Sequence, residues 1–165
     1  IHTLSLHDAL PIYLSVPGLD ELDYQILEIL IKDSRIPYLE IARHCHVSGG
    51  TIHVRMNKMQ EMGLIKGARL ILDTTKLGYD VCCFIGIYLN KASSYPDVLE
   101  QLKEIKEIVE LHYTTGAYSI FIKVMCKSIS NLQDLLMNRL QVISGIRSTD
   151  TFITLSQPID RNISF

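Results

Sequence analysis

Four cysteines in 165 residues, none in a Cys-x-x-Cys pair, leave no zinc-ribbon or thioredoxin-type framework. Cys82 and Cys83 stand in an apolar run that reads as strand core, and Cys45 falls on the inner face of a helix. A reduced, cytoplasmic chain is expected. His44, Cys45, His46 and His53 crowd one region, but their spacing fits no usual zinc pattern, so no metal is expected. No apolar run approaches the ~20 residues that span a bilayer. Residues 79–165 hold one histidine, His112, and no paired carboxylates, nucleophile–base pair or phosphate-cradling glycine loop, so no catalytic site is expected there.

What is present is a soluble-type composition, 47% hydrophobic and 21% charged, enough for one ordinary domain or two small ones. The formal net charge of −2 hides an uneven distribution. Acids gather around Asp20 and Asp23. Between Arg43 and Arg69 the bases Arg43, Arg55, Lys58, Lys66 and Arg69 face a single acid, Glu61. A weakly acidic protein still attracts a phosphate backbone when its bases share one face.

The stretch PYLEIARHCHVSGGTIHVRMNKMQEMG, Pro37 to Gly63, reads as two short helices joined by a tight turn. The first, Tyr38 to His46, places Leu39, Ala42 and Cys45 on one face. Ser48 is an N-cap, and Gly49 and Gly50 follow it. The second helix, Gly50 to Met62, buries Ile52, Met56 and Met59 and turns Thr51, His53, Arg55 and Lys58 outward. This is the layout of a helix-turn-helix whose second helix enters a DNA major groove. The candidate DNA-binding residues are Ser48, Gly50, Thr51, His53, Val54, Arg55 and Lys58 on that helix, with Lys66 and Arg69 beyond it. Thr51, His53 and Arg55 are assigned to the groove, and Arg55 and Lys58 mainly to phosphates. The plainer reading is a helical hairpin with a solvated charged face.

Asp20 caps a preceding helix whose Leu22, Ile26, Ile29 and Leu30 recur at helical spacing. After Gly63, the run Leu70 to Leu72 reads as part of a β-ribbon wing carrying Lys66 and Arg69. Residues 73–79 form a linker between domain 19–72 and domain 80–165. In the second domain Val81–Leu89 reads as a buried strand, Tyr95–Ile105 as a helix, and Ile108–Thr115 as a strand with Val109, Leu111 and Tyr113 on one face. A short turn leads to a strand from Tyr118 to Cys126. Ser128 caps a helix holding Ile129, Leu132 and Leu136, and a last strand runs from about Ile146 to Leu155. The order βαββαβ is ferredoxin-like, making the chain α+β. Its sheet would leave one face open to pair with another subunit. The segment Ile1 to Gly18 fits neither domain and reads as non-native or adventitious sequence.

LDELDYQILEIL, VSGGTIHVRMNKMQEMGLIKGARL, and LGYD followed by TTGAYSIFIKV occur in an order that resembles the Lrp/AsnC, or feast/famine, family of transcriptional regulators. The resemblance runs from about Leu19 to the C-terminus and is strongest to the asparagine-responsive branch. It implies a winged helix-turn-helix joined to the family's ferredoxin-like RAM domain. Implied partners are a double-stranded DNA operator, other copies of the chain in dimers that build octamers or open helices, and a small amino acid, L-asparagine by branch. The implied effector site lies between dimers at the loop after the second strand. Here that loop is His112, Tyr113, Thr114, Thr115, Gly116, Ala117, Tyr118 and Ser119, and Thr149 and Thr151 are assigned to complete the pocket from a neighbouring subunit. Free amides around Gly116 suit a carboxylate, and the hydroxyls suit a polar side chain. Ser119 stands where many relatives carry an aspartate suited to a ligand ammonium. On the residues alone the loop reads first as a hairpin turn. A ferredoxin-like enzyme tethered to DNA and a ligand-free oligomerisation module are the competing functions.

Overall fold

Asp20 and Asp23 open the first helix through a reciprocal cap. The Asp23 amide donates to the Asp20 carboxylate at 3.2 Å, and the Asp20 amide donates to the Asp23 carboxylate at 3.1 Å. Two orphan helix donors are thereby satisfied. The computed structural model describes residues 16–163, so residues 1–15 of the segment read as adventitious lie outside the described residues. The chain divides into two compact units, one of the residues up to Leu70 together with those from Arg161 on, and one spanning Ile71–Asp160.

The first unit contains α1 (Glu21–Lys32), α2 (Tyr38–His44) and α3 (Gly49–Glu61). Ile26, Ile41, Ile52 and Met59 are fully buried between them, each worth roughly 1.5–3 kcal/mol of transfer free energy. Of the stripe expected on α2, Ala42 is buried and Cys45 packs partly buried against the core, but Leu39 does not. Leu39 is 59% exposed, and Ile41 turns inward in its place beside Ala42. The α2–α3 turn passes through His46 in the left-handed region, at φ 55°. Ser48 then caps α3 by accepting the Thr51 amide at 3.1 Å. Among the described residues no strand forms between Leu64 and Asp80, so the expected β-ribbon does not form there. Leu70, Ile71 and Leu72 are exposed, with no facing strand to pair them.

The second unit is a four-stranded antiparallel sheet in the order β2-β3-β1-β4: β1 (Val81–Leu89), β2 (Ile108–Tyr113), β3 (Ile120–Cys126) and β4 (Ile146–Ile153). α4 (Tyr95–Lys103) follows β1. α5 begins at Ile129–Asp134 and continues as a wider π turn through Leu135–Leu140. Ile85, Ile87, Ile120, Ile122 and Val124 pack against Val98, Leu102, Leu132, Leu135 and Leu140 of the helical layer. Ile129 is exposed and Leu135 buried, because the core-facing phase begins one turn after the Ser128 cap.

A bulge breaks the simple alternation on β2. Ile108 pairs with Val124, but Glu110 pairs with Lys123, leaving Val109 as the extra residue. Ile108 and Leu111 therefore pack on the core, and Val109 is half exposed.

Candidate functional site

On α3 the residues exposed to solvent are Gly50, His53, Val54, Asn57, Gln60 and Glu61, opposite the buried Ile52, Met56 and Met59. The His53 ring meets the Tyr38 ring edge-on, with centroids 4.7 Å apart. Val54 is 67% exposed, which nothing in the unit's packing explains. Asn57 was missed by the sequence reading. The signal for it was the spacing 50-53-54-57, the complement of the buried stripe.

Thr51, Arg55 and Lys58 occupy a flank of α3 rather than its outer face. The Thr51 hydroxyl lies 2.9 Å from that of Ser48. Arg55 reaches back to α1, with one guanidinium nitrogen 2.5 Å from the Asp20 carboxylate and 3.2 Å from that of Asp23. Lys58 Nζ lies 3.0 Å from the same Asp23 oxygen. Arg55 and Lys58, expected at phosphates, are thus ion-paired with carboxylates of their own unit while each stays partly exposed. The i, i+4, i+7 spacing of 51, 55 and 58 already places them between the buried and solvent stripes. Asp23 is the buried charged residue of this core, at 0% exposure. The Arg55 hydrogen bond holds the Asp20 carboxyl below the usual carboxylate range, and its counterpart to Asp20 raises the Arg55 guanidinium. Lys66 and Arg69 are exposed and, among the described residues, form no ion pair.

The loop after β2 is organised by its own backbone. The Thr114 hydroxyl donates to the Tyr118 carbonyl at 2.5 Å, and the Thr114 amide donates to the Ser119 carbonyl at 3.0 Å. The Ser119 amide anchors the loop on β1 by donating to the Ile87 carbonyl at 3.0 Å. Thr115, Gly116 and Ala117 are exposed at the tip. A methyl at Gly116 would meet nothing within 4 Å, and its φ is not positive, so nothing within this chain requires glycine there.

The two faces of the sheet divide the predicted effector residues. Tyr113 packs on Tyr95 with ring centroids 4.1 Å apart. Thr149 and Thr151 pair with Ile87 and Ile85, on the core-facing side. Tyr118 instead lies over Gly86 on the open face, against Tyr88, Phe121 and Phe152. Burial, with the Asp150 carboxylate hydrogen-bonded beside it, raises the Tyr118 hydroxyl above its ordinary value. His112 pairs with Phe121, and its ring lies 3.6 Å from Glu110. The structure brings His112 through Ser119 together as one hairpin. Thr149 is level with that hairpin but on the opposite edge strand, two strand spacings or about 10 Å from its β3 arm and three from its β2 arm. A recess of ≈ 350 Å³ beside it is lined by Gln141, Ile146, Arg147 and Ser148. Arg147, also missed by the sequence reading, sits over the Tyr88 ring at 5.1 Å.

Residues 19–66 match the winged helix-turn-helix DNA-binding model, and residues 82–163 match the Lrp/AsnC ligand binding domain. The chain is 51% identical over 146 residues to regulatory protein AsnC of Haemophilus influenzae, covering 88% of this chain and 97% of that one. The chain belongs to the Lrp/AsnC family. Regulatory protein AsnC of Escherichia coli K12 is 52% identical over 145 residues, covering 88% of this chain and 95% of that protein. The solved structure of E. coli AsnC superposes with a TM-score of 0.84 at 51% identity, over 88% of this chain and 97% of that one. A Neisseria meningitidis transcriptional regulator in complex with L-Met shares the fold, with a TM-score of 0.83 at 16% identity, over 87% of this chain and 94% of the other. As an Lrp/AsnC protein the chain is a DNA-binding transcriptional regulator responsive to an amino-acid effector, and not an enzyme. Among the described residues, no helix is long and apolar enough to cross a membrane.

Proposed function

We propose that this regulator reads its operator with the exposed stripe of α3 and takes L-asparagine at the β2–β3 hairpin of a homo-oligomer. The observation that carries the DNA half is the solvent stripe Gly50, His53, Val54 and Asn57, which projects from a helix whose opposite side is fully committed to core. Asn57 suits adenine through two hydrogen bonds, and Val54 suits a thymine methyl. The α3 N-terminus behind Ser48, with Lys66 and Arg69 in the exposed segment after it, supplies phosphate contacts.

The hairpin half rests on the exposed tip at Thr115, Gly116 and Ala117. The amides of these residues have no internal acceptor among the described residues, which suits a ligand carboxylate. Thr149 and Thr151, on the core-facing side of β4, and Arg147, over the Tyr88 ring, are assigned to a pocket completed by another copy. Phe84, Tyr88, Phe121 and Phe152 on the open face supply an aromatic surface for subunit pairing. The choice of asparagine rests on similarity to regulatory proteins AsnC.

Thermal unfolding with each of the twenty amino acids tests the effector. A ligand at 100 times its Kd adds about 2.7 kcal/mol, enough to move the midpoint by several degrees. A shift with asparagine alone is expected. A comparable shift with many amino acids contradicts asparagine specificity, and no shift with any contradicts the hairpin site.

A further inference from the structure

The reading helix is tied to α1 by an acidic clasp, and its geometry has a consequence for how DNA is held. Asp23 is fully buried, yet it receives Arg55, Lys58 and the Asp20 amide. Asp20, half exposed at the rim, takes Arg55 as well. Both cations come from the flank of α3 that adjoins its exposed stripe. Arg55 retains 26% side-chain exposure and Lys58 35%, so each reaches the surface on long, flexible stems.

We propose that Asp23, with Asp20 at its rim, is a positioning residue for DNA recognition: it holds Arg55 and Lys58 away from phosphate and fixes the rotation of α3. A recognition helix reads sequence only if its rotation about its own axis is defined, because a change of one residue's angular spacing presents a different stripe to the groove. Two bonds from one buried carboxylate to positions 55 and 58, nearly one turn apart, define that rotation. The same pairing lowers non-specific attraction, which depends on the number of cations free to displace counterions. The clasp therefore favours discrimination between sequences over affinity for any duplex.

The proposal rests on the DNA reading of α3. It is tested by fluorescence anisotropy with a random-sequence duplex and with a duplex selected from a random pool by the wild-type protein, each across a salt series. In Asp23→Asn, and to a smaller degree in Asp20→Asn, the plot of log affinity against log salt for the random duplex steepens. The increase is by up to about 0.9 for each cation released to a phosphate. The affinity ratio between selected and random duplexes falls at the same time. A merely structural role predicts weaker binding to both duplexes with an unchanged salt slope, and that result overturns the proposal. If Asp23→Asn does not fold, Asp20→Asn, altered at the exposed rim, decides the matter by the same slope. Wild-type protein that binds neither duplex refutes the DNA reading itself, whereas normal wild-type binding with unchanged variant slopes refutes the clasp alone.

Discussion

The guanidinium of Arg55 lies 2.5 Å from the carboxylate of Asp20, thirty-five residues earlier in the chain, and binds α3 to the start of α1. An arginine so placed serves the fold before it serves a ligand. Arg55→Ala leaves Asp23 with one cation fewer and lowers unfolding free energy by about 1–3 kcal/mol, the range for disrupting a partly buried charged network. The salt slope of DNA binding stays unchanged in that variant. Lys66→Ala and Arg69→Ala, by contrast, leave stability within about 0.5 kcal/mol and each reduce the slope by about 1. Chemical denaturation beside anisotropy salt titrations separates the two classes.

Acid weakens the same contact with a defined sign. The Arg55 hydrogen bond favours the ionised Asp20 carboxyl, so its folded value lies below its ordinary one. Above the ordinary carboxylate range, about pH 4, both folded and unfolded forms are ionised and the full contribution is present. As pH falls toward the lowered value, the unfolded chain takes up its proton first and stability is lost. The half-exposed position and salt screening keep this contribution small. Glu110 adds to the acid loss: burial raises its carboxyl, but Lys123 and His112 overcome that and leave it lowered. Melting temperatures from about pH 6 down to about pH 2 should fall less steeply in Asp20→Asn than in wild type.

Gly86 is the floor beneath the Tyr118 ring. A methyl built there would lie 2.4 Å from the ring, closer than any real contact allows, so the ring or the strand must move. Gly86→Ala should cost about 1–3 kcal/mol, as overpacking does. The cost should shrink in a Tyr118→Ala background, where the obstructing ring is gone. Equal costs in both backgrounds, read by denaturant melts, would place the strain elsewhere.

The sequence shows the helix-turn-helix and the βαββαβ order because apolar periodicity and caps report local structure directly. Ser48 and Ser128 cap the helices expected of them, and Ile52, Met56 and Met59 form the buried stripe of α3. Three features escaped for a shared physical reason. The Val109 bulge depends on pairing with β3, the exposure of Leu39 depends on which side of α2 meets α1 and α3, and the Arg55 clasp joins residues far apart in sequence. Local charge counting saw five bases near one acid, but two of those bases are answered by acids on another helix. The hairpin residues were legible as a continuous run. The separation of Thr149 and Thr151 from that hairpin required the strand order.

An amino acid bound in the second unit is expected to alter how the first binds DNA. The most direct test is an anisotropy titration of the wild-type protein on its selected duplex, without effector and with L-asparagine, using the other amino acids as controls. A midpoint shift with asparagine is expected, lost when Gly116 is replaced by Val and kept when Lys66 is replaced by Ala. Superimposable isotherms with and without every amino acid, from protein that binds the duplex, would contradict it.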